Sequence, residues 1–328
     1  MADETAPRVL LVATMKNEGP NILEWVAHHL LCGFDLQIYQ NDSDDETAKH
    51  LRTLQSIGAI EYFRNHSDKR DWQTKAYRRC SFSEAYHASD WCMALDGDEF
   101  LNVRVGEGRV QDLIEACPET DEILVNWRIF GSGHETDLSD SLVTERYRLA
   151  AARDVAQDSY CGFKSLFRTS CFKRPGIHRA RAPLVEAPRM VNGSGLREGQ
   201  FAKLQWRSRD PENMKYAQVN HYAVRDAASF LLKSVRGSSS HPDREVARDY
   251  WRRFNLNIEE DDSLASRSPQ VYEKMCELND RSRGRLFFLR EQSLRIWREK
   301  LDALMKNPAY ADMFAELTAF GSTGKDAA

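Results

Sequence analysis

The amino-acid sequence predicts an α/β fold in which a mostly parallel sheet is flanked by helices, with a helical C-terminal extension. Residues 9–14 read VLLVAT, an apolar run typical of a strand buried on both faces of a sheet. Strand and helix patterns then alternate with short connections, which implies parallel pairing with helices on the sheet faces. Residues 245–317 are charged and largely helical in pattern, so we expect them to form the extension.

The polar turn after the first strand predicts the start of a helix. Residues 15–21 read MKNEGPN, in which Asn21 is placed to cap the helix and Glu24 stands at the reciprocal capping-box position. The apolar side chains that follow fall on one helical face, and Gly33 is the expected end of the helix.

A second group of strand, helix and strand follows. Residues 36–39 form an apolar strand, residues 47–57 a helix that Gly58 closes, and residues 60–63 a short third strand. Ligands of parallel sheets bind at the carboxyl ends of the strands. The polar residues that follow these strands are therefore candidate site residues.

The pattern predicts five further elements downstream. They are a helix at 74–86, strands at 91–95, 123–130 and 163–169, and a helix at 227–235. An acidic segment follows the strand at 91–95 directly, so its side chains are also expected at the carboxyl edge of the sheet.

Composition and charge limit the class of protein. The formal net charge of −4 argues against a nucleic-acid binder, because such proteins present a basic surface. The seven cysteines include no CxxC pair and suit reduced thiols in a cytoplasmic protein. The polar start MADETAPR is no secretory signal, and no apolar run is long enough for a transmembrane segment. We therefore predict a cytoplasmic protein that is at most peripheral to the inner membrane.

The central chemical signal is the acidic segment DGDEF at residues 96–100. Asp96 and Asp98 follow the apolar strand WCMAL, and Gly97 allows the chain to turn between them. Carboxylates that converge at such a turn suit Mg²⁺ or Mn²⁺, which also take phosphate oxygens as ligands. The alternative is a solvated acidic turn, and the position at a strand end favours a metal site.

Two other loops supply candidate binding residues. Thr14, Lys16 and Glu18 lie in the first loop, where they are placed to hold a base, ribose or phosphate. Asp42 follows the second strand and is placed to accept hydrogen bonds from a ribose or a uracil-type ring. Each loop also has a simpler interpretation as a helix-capping turn, with a cap for the second helix expected within residues 43–45.

A late segment, NHY at residues 220–222, supplies a histidine. A neutral imidazole is a ligand that Mn²⁺ accepts more readily than Mg²⁺, so His221 is a candidate ligand. Lys233 and Arg236 follow in the chain and are placed to meet a diphosphate. The simpler interpretation is a packed histidine and two exposed helix charges.

Taken together, these segments resemble the family 2-like glycosyltransferases of the A-type fold. The resemblance is greatest to a subgroup with an early MKNEG, a central DGDEF and a late NHY segment, here residues 15–19, 96–100 and 220–222. WRIFGSGH at 127–134 and FKSLFR at 163–168 also match that subgroup.

The resemblance covers residues 8–237, which it identifies as a nucleotide-sugar-binding domain, and leaves residues 245–320 as a helical C-terminal extension. It implies metal-dependent transfer of a sugar from a nucleotide-diphosphate sugar, with a UDP-sugar as the expected donor. By analogy, the expected acceptor is a glycan or a lipid-linked molecule in the synthesis of a surface polysaccharide.

The same resemblance implies a role for each candidate residue. Asp98 would be a ligand of Mn²⁺ or Mg²⁺, Asp96 would face the ribose or the ion, and His221 would close the metal site. Together with the ion, Lys233 and Arg236 would stabilise the charge of the leaving nucleoside diphosphate. The residues that would line the nucleotide pocket are Thr14, Lys16, Glu18 and Asp42.

An inverting enzyme also needs a general base near the anomeric carbon. The candidates are His134, Glu135 and Asp137, on the loop after the strand at 123–130. No segment clearly matches the Glu-Asp base pair of other family 2 enzymes, so inversion is an expectation and the base stays open. His178 is a further polar candidate without an assigned role.

Two other classes of protein stay open. A nucleotidyltransferase also uses paired carboxylates on a doubly wound sheet, but it normally has a basic, glycine-rich phosphate loop, and MKNEGPN is poor in glycine. A catalytically inactive sugar-binding protein would share the fold, although the presence of Asp96, Asp98 and His221 together argues against it. The sequence identifies neither the donor sugar, the acceptor nor the oligomeric state.

Overall fold

The alternating apolar pattern folds into a mixed sheet with helices on its faces. The computed structural model describes residues 6–66, 71–153, 162–197, 214–235 and 244–322. In this part of the chain, the sheet is curled and flanked by helices, which confirms the predicted α/β fold class.

The strands and helices have the following bounds. The strands are β1 Val9–Met15, β2 Asp35–Gln40, β3 Glu61–Arg64, β4 Trp91–Asp96, β5 Glu99–Val103, β6 Glu122–Ile129, β7 Leu149–Ala150, β8 Phe163–Arg168, β9 Phe172–Arg174, β10 Arg181–Pro183, β11 Met190–Asn192, β12 Ala217–His221 and β13 Glu259–Glu260. The helices are α1 Ile22–Leu31, α2 Thr47–Ser56, α3 Trp72–Cys80, α4 Glu84–His87, α5 Val110–Ala116, α6 Val143–Arg146, α7 Ala227–Val235, α8 Arg244–Phe254, α9 Ser268–Arg281, α10 Arg285–Met305 and α11 Pro308–Ser322.

The strand order brings distant polar residues to one edge of the main sheet. Within the described residues, nine strands form this sheet in the order β3-β2-β1-β4-β8-β6-β12-β5, with β11 also paired to β6. β1 pairs in parallel with β2 and β4, while β8 runs antiparallel between β4 and β6. The register places Thr14 between Tyr39 and Asp96, so the carboxyl ends of β1, β2 and β4 meet as the sequence predicts.

The acidic segment after β4 forms a turn only at Gly97 and Asp98, because β5 begins at the next residue. β5 pairs antiparallel with β12, and Glu99 lies opposite His221. The side chains of Glu99 and Phe100 are fully buried, and a buried backbone must find hydrogen-bond partners. Pairing with β12 supplies these partners and draws the end of β12 towards the turn.

Helix α1 holds the acidic turn through the side chain of Trp25. Trp25 is fully buried, and its Nε1 donates hydrogen bonds to the carbonyl oxygens of Glu99 at 2.8 Å and Asp96 at 3.2 Å. Because these two residues flank the turn, the indole limits its movement relative to the core.

The C-terminal region is largely helical, as predicted. Helix α9 packs on α1, and α10 packs on α2. Leu286, Leu289 and Leu294 of α10 are buried. Trp297 of α10 donates from Nε1 to Oδ2 of Asp45 at 3.2 Å. The extension therefore supports the loop that follows β2. In the ranges described above, no helix has the length and apolar character needed to cross a membrane.

Glu24 caps a helix other than its own. The predicted capping box is wrong, because the side chain of Asn21 makes no cap hydrogen bond. The buried carboxylate of Glu24 instead accepts hydrogen bonds from the backbone N–H groups of Val143 at 2.6 Å and Thr144 at 3.0 Å, at the start of α6. Burial raises the pKa of Glu24, and these hydrogen bonds offset part of the rise.

Glu24→Ala is expected to lower the free energy of unfolding by about 2–4 kcal/mol, because two backbone N–H groups lose their buried acceptor. Chemical denaturation measures the loss, and Glu145→Ala is the matched control, since Glu145 is an exposed carboxylate of α6. A loss no larger than that of the control would show that water replaces the carboxylate.

Candidate active site

The two aspartates of the acidic segment, Asp96 and Asp98, have different partners. Asp96 ends β4, and its carboxylate oxygens accept hydrogen bonds from Gln73 Nε2 at 2.7 Å and Lys164 Nζ at 2.8 Å. A role as a metal ligand or ribose acceptor therefore requires Asp96 to share or give up one of these bonds.

A buried lysine lies beside Asp96. The side chain of Lys164 on β8 is fully buried, and its Nζ is 3.0 Å from Oε2 of Glu99, which is also fully buried. Burial acts to lower the pKa of Lys164, but the charges of Asp96 and Glu99 outweigh it and raise this pKa above its ordinary value. Burial raises the pKa of Glu99, and Lys164 opposes that rise. Lys164 thus compensates the charge of two acidic side chains in the sheet.

Asp98 lies in the turn itself and faces two nitrogen groups. Its Oδ2 accepts a hydrogen bond from Lys233 Nζ at 2.7 Å, and its Oδ1 is 3.8 Å from Nε2 of His221. Burial acts to raise the pKa of Asp98, but Lys233 and then His221 lower it well below its ordinary value. Asp98 is therefore an ionised carboxylate at neutral pH.

Strand pairing brings His221 next to Asp98, although the two residues are more than a hundred positions apart in the sequence. His221 ends β12 opposite Glu99, the residue after Asp98. Its ring packs on Trp127 with the centroids 4.7 Å apart. Burial lowers the pKa of His221 to about 4, so its imidazole is neutral at pH 7. The structure places the two residues together, and their role as ligands stays a prediction.

The chemistry of this pair fits a divalent cation that a diphosphate also binds. Among the described residues, no three His, Cys, Asp or Glu side chains are grouped to hold an ion by themselves. The pair offers an ionised carboxylate and a neutral imidazole, a combination that Mn²⁺ accepts. An ion with ligand bonds of about 2.1 Å spans atoms up to about 4.2 Å apart, and Asp98 Oδ1 and His221 Nε2 are 3.8 Å apart.

Arg225 is a site residue that the sequence analysis missed. Its buried guanidinium donates hydrogen bonds to Glu18 Oε2 at 2.9 Å and to the carbonyl oxygen of Gly97 at 3.2 Å. Burial acts to lower its pKa, but Glu18 and Asp98 raise it above the ordinary value. Arg225 therefore joins the first loop to the acidic turn. Its backbone adopts a φ of 57°, and no motif in the sequence announces this position.

The loops after β1 and β2 are hydrogen-bonded to each other. Asn17 Nδ2 donates to Asp44 Oδ1 at 2.5 Å, and the backbone N–H of Gly19 donates to Asp45 Oδ2 at 3.1 Å. Oδ1 of Asp45 also accepts from the backbone N–H of Thr47, the first residue of α2, at 2.9 Å. Asp45 therefore orders the start of α2, so this acidic cluster has a structural role besides any role in binding.

The predicted nucleotide-pocket residues lie along this edge of the sheet. Thr14 is buried beside Asp96, whereas Lys16 is exposed. Asp42 is exposed, and its Oδ2 lies 2.6 Å from Nδ1 of His66. The hydrogen bond from His66 lowers the pKa of Asp42. Glu18, the fourth predicted residue, is the partner of the arginine described above.

The predicted base residues lie on a loop that an arginine holds. The guanidinium of Arg146 donates to Glu135 Oε2 at 2.8 Å and to the carbonyl oxygen of Asp137 at 2.6 Å. The carbonyl oxygen of Glu135 accepts from the backbone N–H of Ala227 at 3.3 Å, so the loop contacts the start of α7. His134 is exposed, with a φ of 64°.

Two remaining candidates have different outcomes. His178 packs on Trp127 with ring centroids 5.4 Å apart, so that this tryptophan contacts both His178 and His221. Burial lowers the pKa of His178 to about 4. Arg236 lies outside the described residues, and its predicted contact with a diphosphate stays a prediction.

The curled α/β sheet with an acidic turn at its carboxyl edge is consistent with a Rossmann-like glycosyltransferase. The model of glycosyltransferase family 92 matches residues 12–192, more than half of this chain. The chain therefore belongs to glycosyltransferase family 92. This confirms the prediction of a glycosyltransferase, while the narrower resemblance to family 2-like enzymes stays a prediction. A comparison with curated proteins found no matching sequence.

Solved structures provide more distant similarities. S. aureus TarS 1-349 in complex with UDP-GlcNAc is 10% identical, with 91% of this chain and 92% of that chain covered and a TM-score of 0.33. A Bacillus anthracis structure described as a glucose-1-phosphate thymidylyltransferase is 8% identical, with 50% and 72% covered and a TM-score of 0.29.

Proposed function

We propose that this family 92 chain is a metal-dependent glycosyltransferase that transfers a sugar from a UDP-sugar to a glycan or lipid-linked acceptor. The observation that carries the proposal is the ionised Asp98 in the turn after β4, which faces the neutral imidazole of His221 and the ammonium of Lys233. Such a site suits a cation and a diphosphate together. A cytoplasmic enzyme of polysaccharide synthesis, peripheral to a membrane, is the setting we propose.

The residues at and around the acidic turn would have different roles in donor binding. Asp98 and His221 would hold Mn²⁺ or Mg²⁺, with Asp96 as a further ligand if it releases a present partner. When bound, the ion supplies positive charge to the diphosphate leaving group as the sugar–oxygen bond breaks. Lys233 would add positive charge at the same leaving group, as would Arg236 if it has its predicted role.

The nucleoside would lie across the ends of β1 and β2. Thr14 and Lys16 in the first loop and Asp42 in the second offer hydrogen-bonding groups for ribose, base or phosphate, and Glu18 is oriented by Arg225. The hydrogen bonds between the two loops would keep these groups at a constant spacing. Less conformational entropy is then lost when the nucleotide binds.

The acceptor hydroxyl would be activated from the loop after β6, with inversion at the anomeric carbon. His134, Glu135 and Asp137 remain the candidates for the base, and Arg146 holds this loop against α7. A base acts on the acceptor, so its removal should lower sugar transfer more than it lowers donor binding.

The test is release of UDP from a panel of UDP-sugars with Mn²⁺, with Mg²⁺ and with excess chelator. We expect release of UDP with one donor, dependent on the added cation. Full activity in excess chelator, or release of diphosphate from UTP and a sugar phosphate, would contradict the proposal. The second result would identify a nucleotidyltransferase, and binding without turnover on any acceptor would identify an inactive sugar-binding protein.

Arg225→Met is expected to weaken UDP binding about tenfold in the presence of Mn²⁺, because Glu18 and the acidic turn lose their common donor. Isothermal titration with UDP measures the change. Arg179→Met is the matched control. Arg179 pairs at 3.2 Å with Glu122, the first residue of β6, whereas His221 pairs with Ile129 at the last residue of that strand. An equal effect of both substitutions would indicate a general loss of stability instead.

A further inference from the structure

We propose that Lys233 is an exchangeable counter-ion of Asp98, which a divalent cation displaces and which then binds the diphosphate of the donor. The inference rests on the proposed function and adds a competition between the lysine and the cation at the same carboxylate. It predicts that removing Lys233 strengthens cation binding, the opposite of the effect expected for a residue that only supports the site.

The contact distances indicate the competition. Nζ of Lys233 is 2.7 Å from Oδ2 of Asp98, and it also donates to the carbonyl oxygen of Ala223 at 2.9 Å. Oδ1 of the same carboxylate faces His221, so a cation about 2.1 Å from Oδ1 would lie within about 7 Å of this ammonium. Two positive groups this close repel each other in a partly buried site, so the bound cation and the Lys233–Asp98 contact oppose each other.

Lys233 is also freer to move than Arg225, another positive charge near Asp98. The guanidinium of Arg225 is buried and held by both Glu18 and Gly97. The side chain of Lys233 is 33% exposed, in the last turn of α7, on a flexible four-carbon stem. Displacement of Lys233 therefore leaves the turn intact, whereas displacement of Arg225 would separate it from the first loop.

The exchange couples cation and nucleotide binding. A cation that enters alone breaks the Lys233–Asp98 contact and leaves the ammonium without an anionic partner. A diphosphate supplies that partner, so each ligand should strengthen the binding of the other, and the coupling must be reciprocal. The free enzyme would then hold Mn²⁺ weakly until the nucleotide arrives.

The experiment measures Mn²⁺ affinity by the EPR signal of free Mn²⁺, with and without UDP, for the full chain and four variants. We expect Lys233→Met to bind Mn²⁺ alone about tenfold more tightly than the wild type. At saturating Mn²⁺ we expect the same variant to bind UDP more weakly. Lys233→Arg keeps the charge and should leave the Mn²⁺ affinity within about twofold.

Two further variants make the result specific. Lys274→Met removes a lysine of α9 that is 24% exposed and lies 2.6 Å from Glu277, so it controls for the general effect of deleting a paired lysine. Asp98→Asn tests the ion site itself and should remove the binding of Mn²⁺ both with and without UDP. Thermal unfolding of each variant establishes that it is folded.

The outcomes separate the inference from the proposed function. If Asp98→Asn removes Mn²⁺ binding while Lys233→Met leaves it unchanged or weaker, the exchange is overturned and the ion site stands. If Asp98→Asn binds Mn²⁺ as the wild type does, both the ion site and the exchange are overturned. If Lys274→Met tightens Mn²⁺ binding as much as Lys233→Met, the effect is one of net charge and the exchange is also overturned.

Discussion

Asp98→Ala is expected to lower the Mn²⁺-dependent release of UDP from the donor by about a thousandfold or more. The reason is that Asp98 is the ionised carboxylate between His221 and Lys233, so its loss removes the anchor of the ion and leaves two nitrogen groups facing each other. Steady-state turnover of the donor measures the effect. Asp98→Asn keeps the shape without the charge and should be nearly as inactive.

Asp302→Ala is the control for this prediction, because Asp302 is an exposed carboxylate of α10. It should retain wild-type turnover. The prediction fails if Asp98→Ala keeps its activity while a chelator still abolishes that of the wild type, since the ion would then bind elsewhere.

Lys164→Met is expected to lower the free energy of unfolding by about 3–5 kcal/mol, because it leaves Asp96 and the fully buried Glu99 without their common cation. Urea denaturation measures the loss. Glu99→Gln in the Lys164→Met background removes the cost of burying this ionisable carboxyl group and should restore about 1–2 kcal/mol. Lys274→Met, which breaks a partly exposed ion pair, should cost less than about 1 kcal/mol.

The destabilisation by Lys164→Met should also grow with pH. Burial raises the pKa of Glu99, so the folded chain binds a proton that the unfolded chain has released, and stability falls as pH rises between the two pKa values. The charge of Lys164 opposes the rise in the pKa of Glu99, so the removal of Lys164 raises this pKa further. The pKa of Glu99 is raised to about 8 with Lys164 in place, so the wild type and the variant diverge above that pH, and the loss should be larger at about pH 9.5 than at about pH 7. A loss that is equal at both pH values would assign the effect to packing alone.

The elements nearest the site follow from the local sequence. The apolar runs at residues 9–14 and 91–95 predict β1 and β4, each of which is one residue longer in the structure. A strand buried on both faces must be apolar along its length, so composition alone reveals it. The helix predicted at 227–235 has the same bounds as α7, because its apolar face repeats with the helical period.

One predicted helix was divided by a local cap. The sequence predicts a single helix at 74–86, but α3 ends at Cys80 and α4 begins at Glu84. Oγ of Ser83 accepts a hydrogen bond from the backbone N–H of Tyr86 at 3.2 Å, which starts a new helix. A serine at this position is compatible with either arrangement, so the local pattern did not separate them.

The sequence by itself predicted that the acidic side chains after β1, β2 and β4 meet at the carboxyl edge of a sheet, because strand ends and crossovers are encoded locally. Only the tertiary structure decided how these side chains are shared. Asp96 and Asp98 are chemically alike in the sequence, yet Lys164 from β8 holds the first and Lys233 from α7 the second. Arg225 reaches the turn in the same way. These partners lie more than sixty residues away, and their proximity depends on strand order and burial, which no local pattern of residues contains.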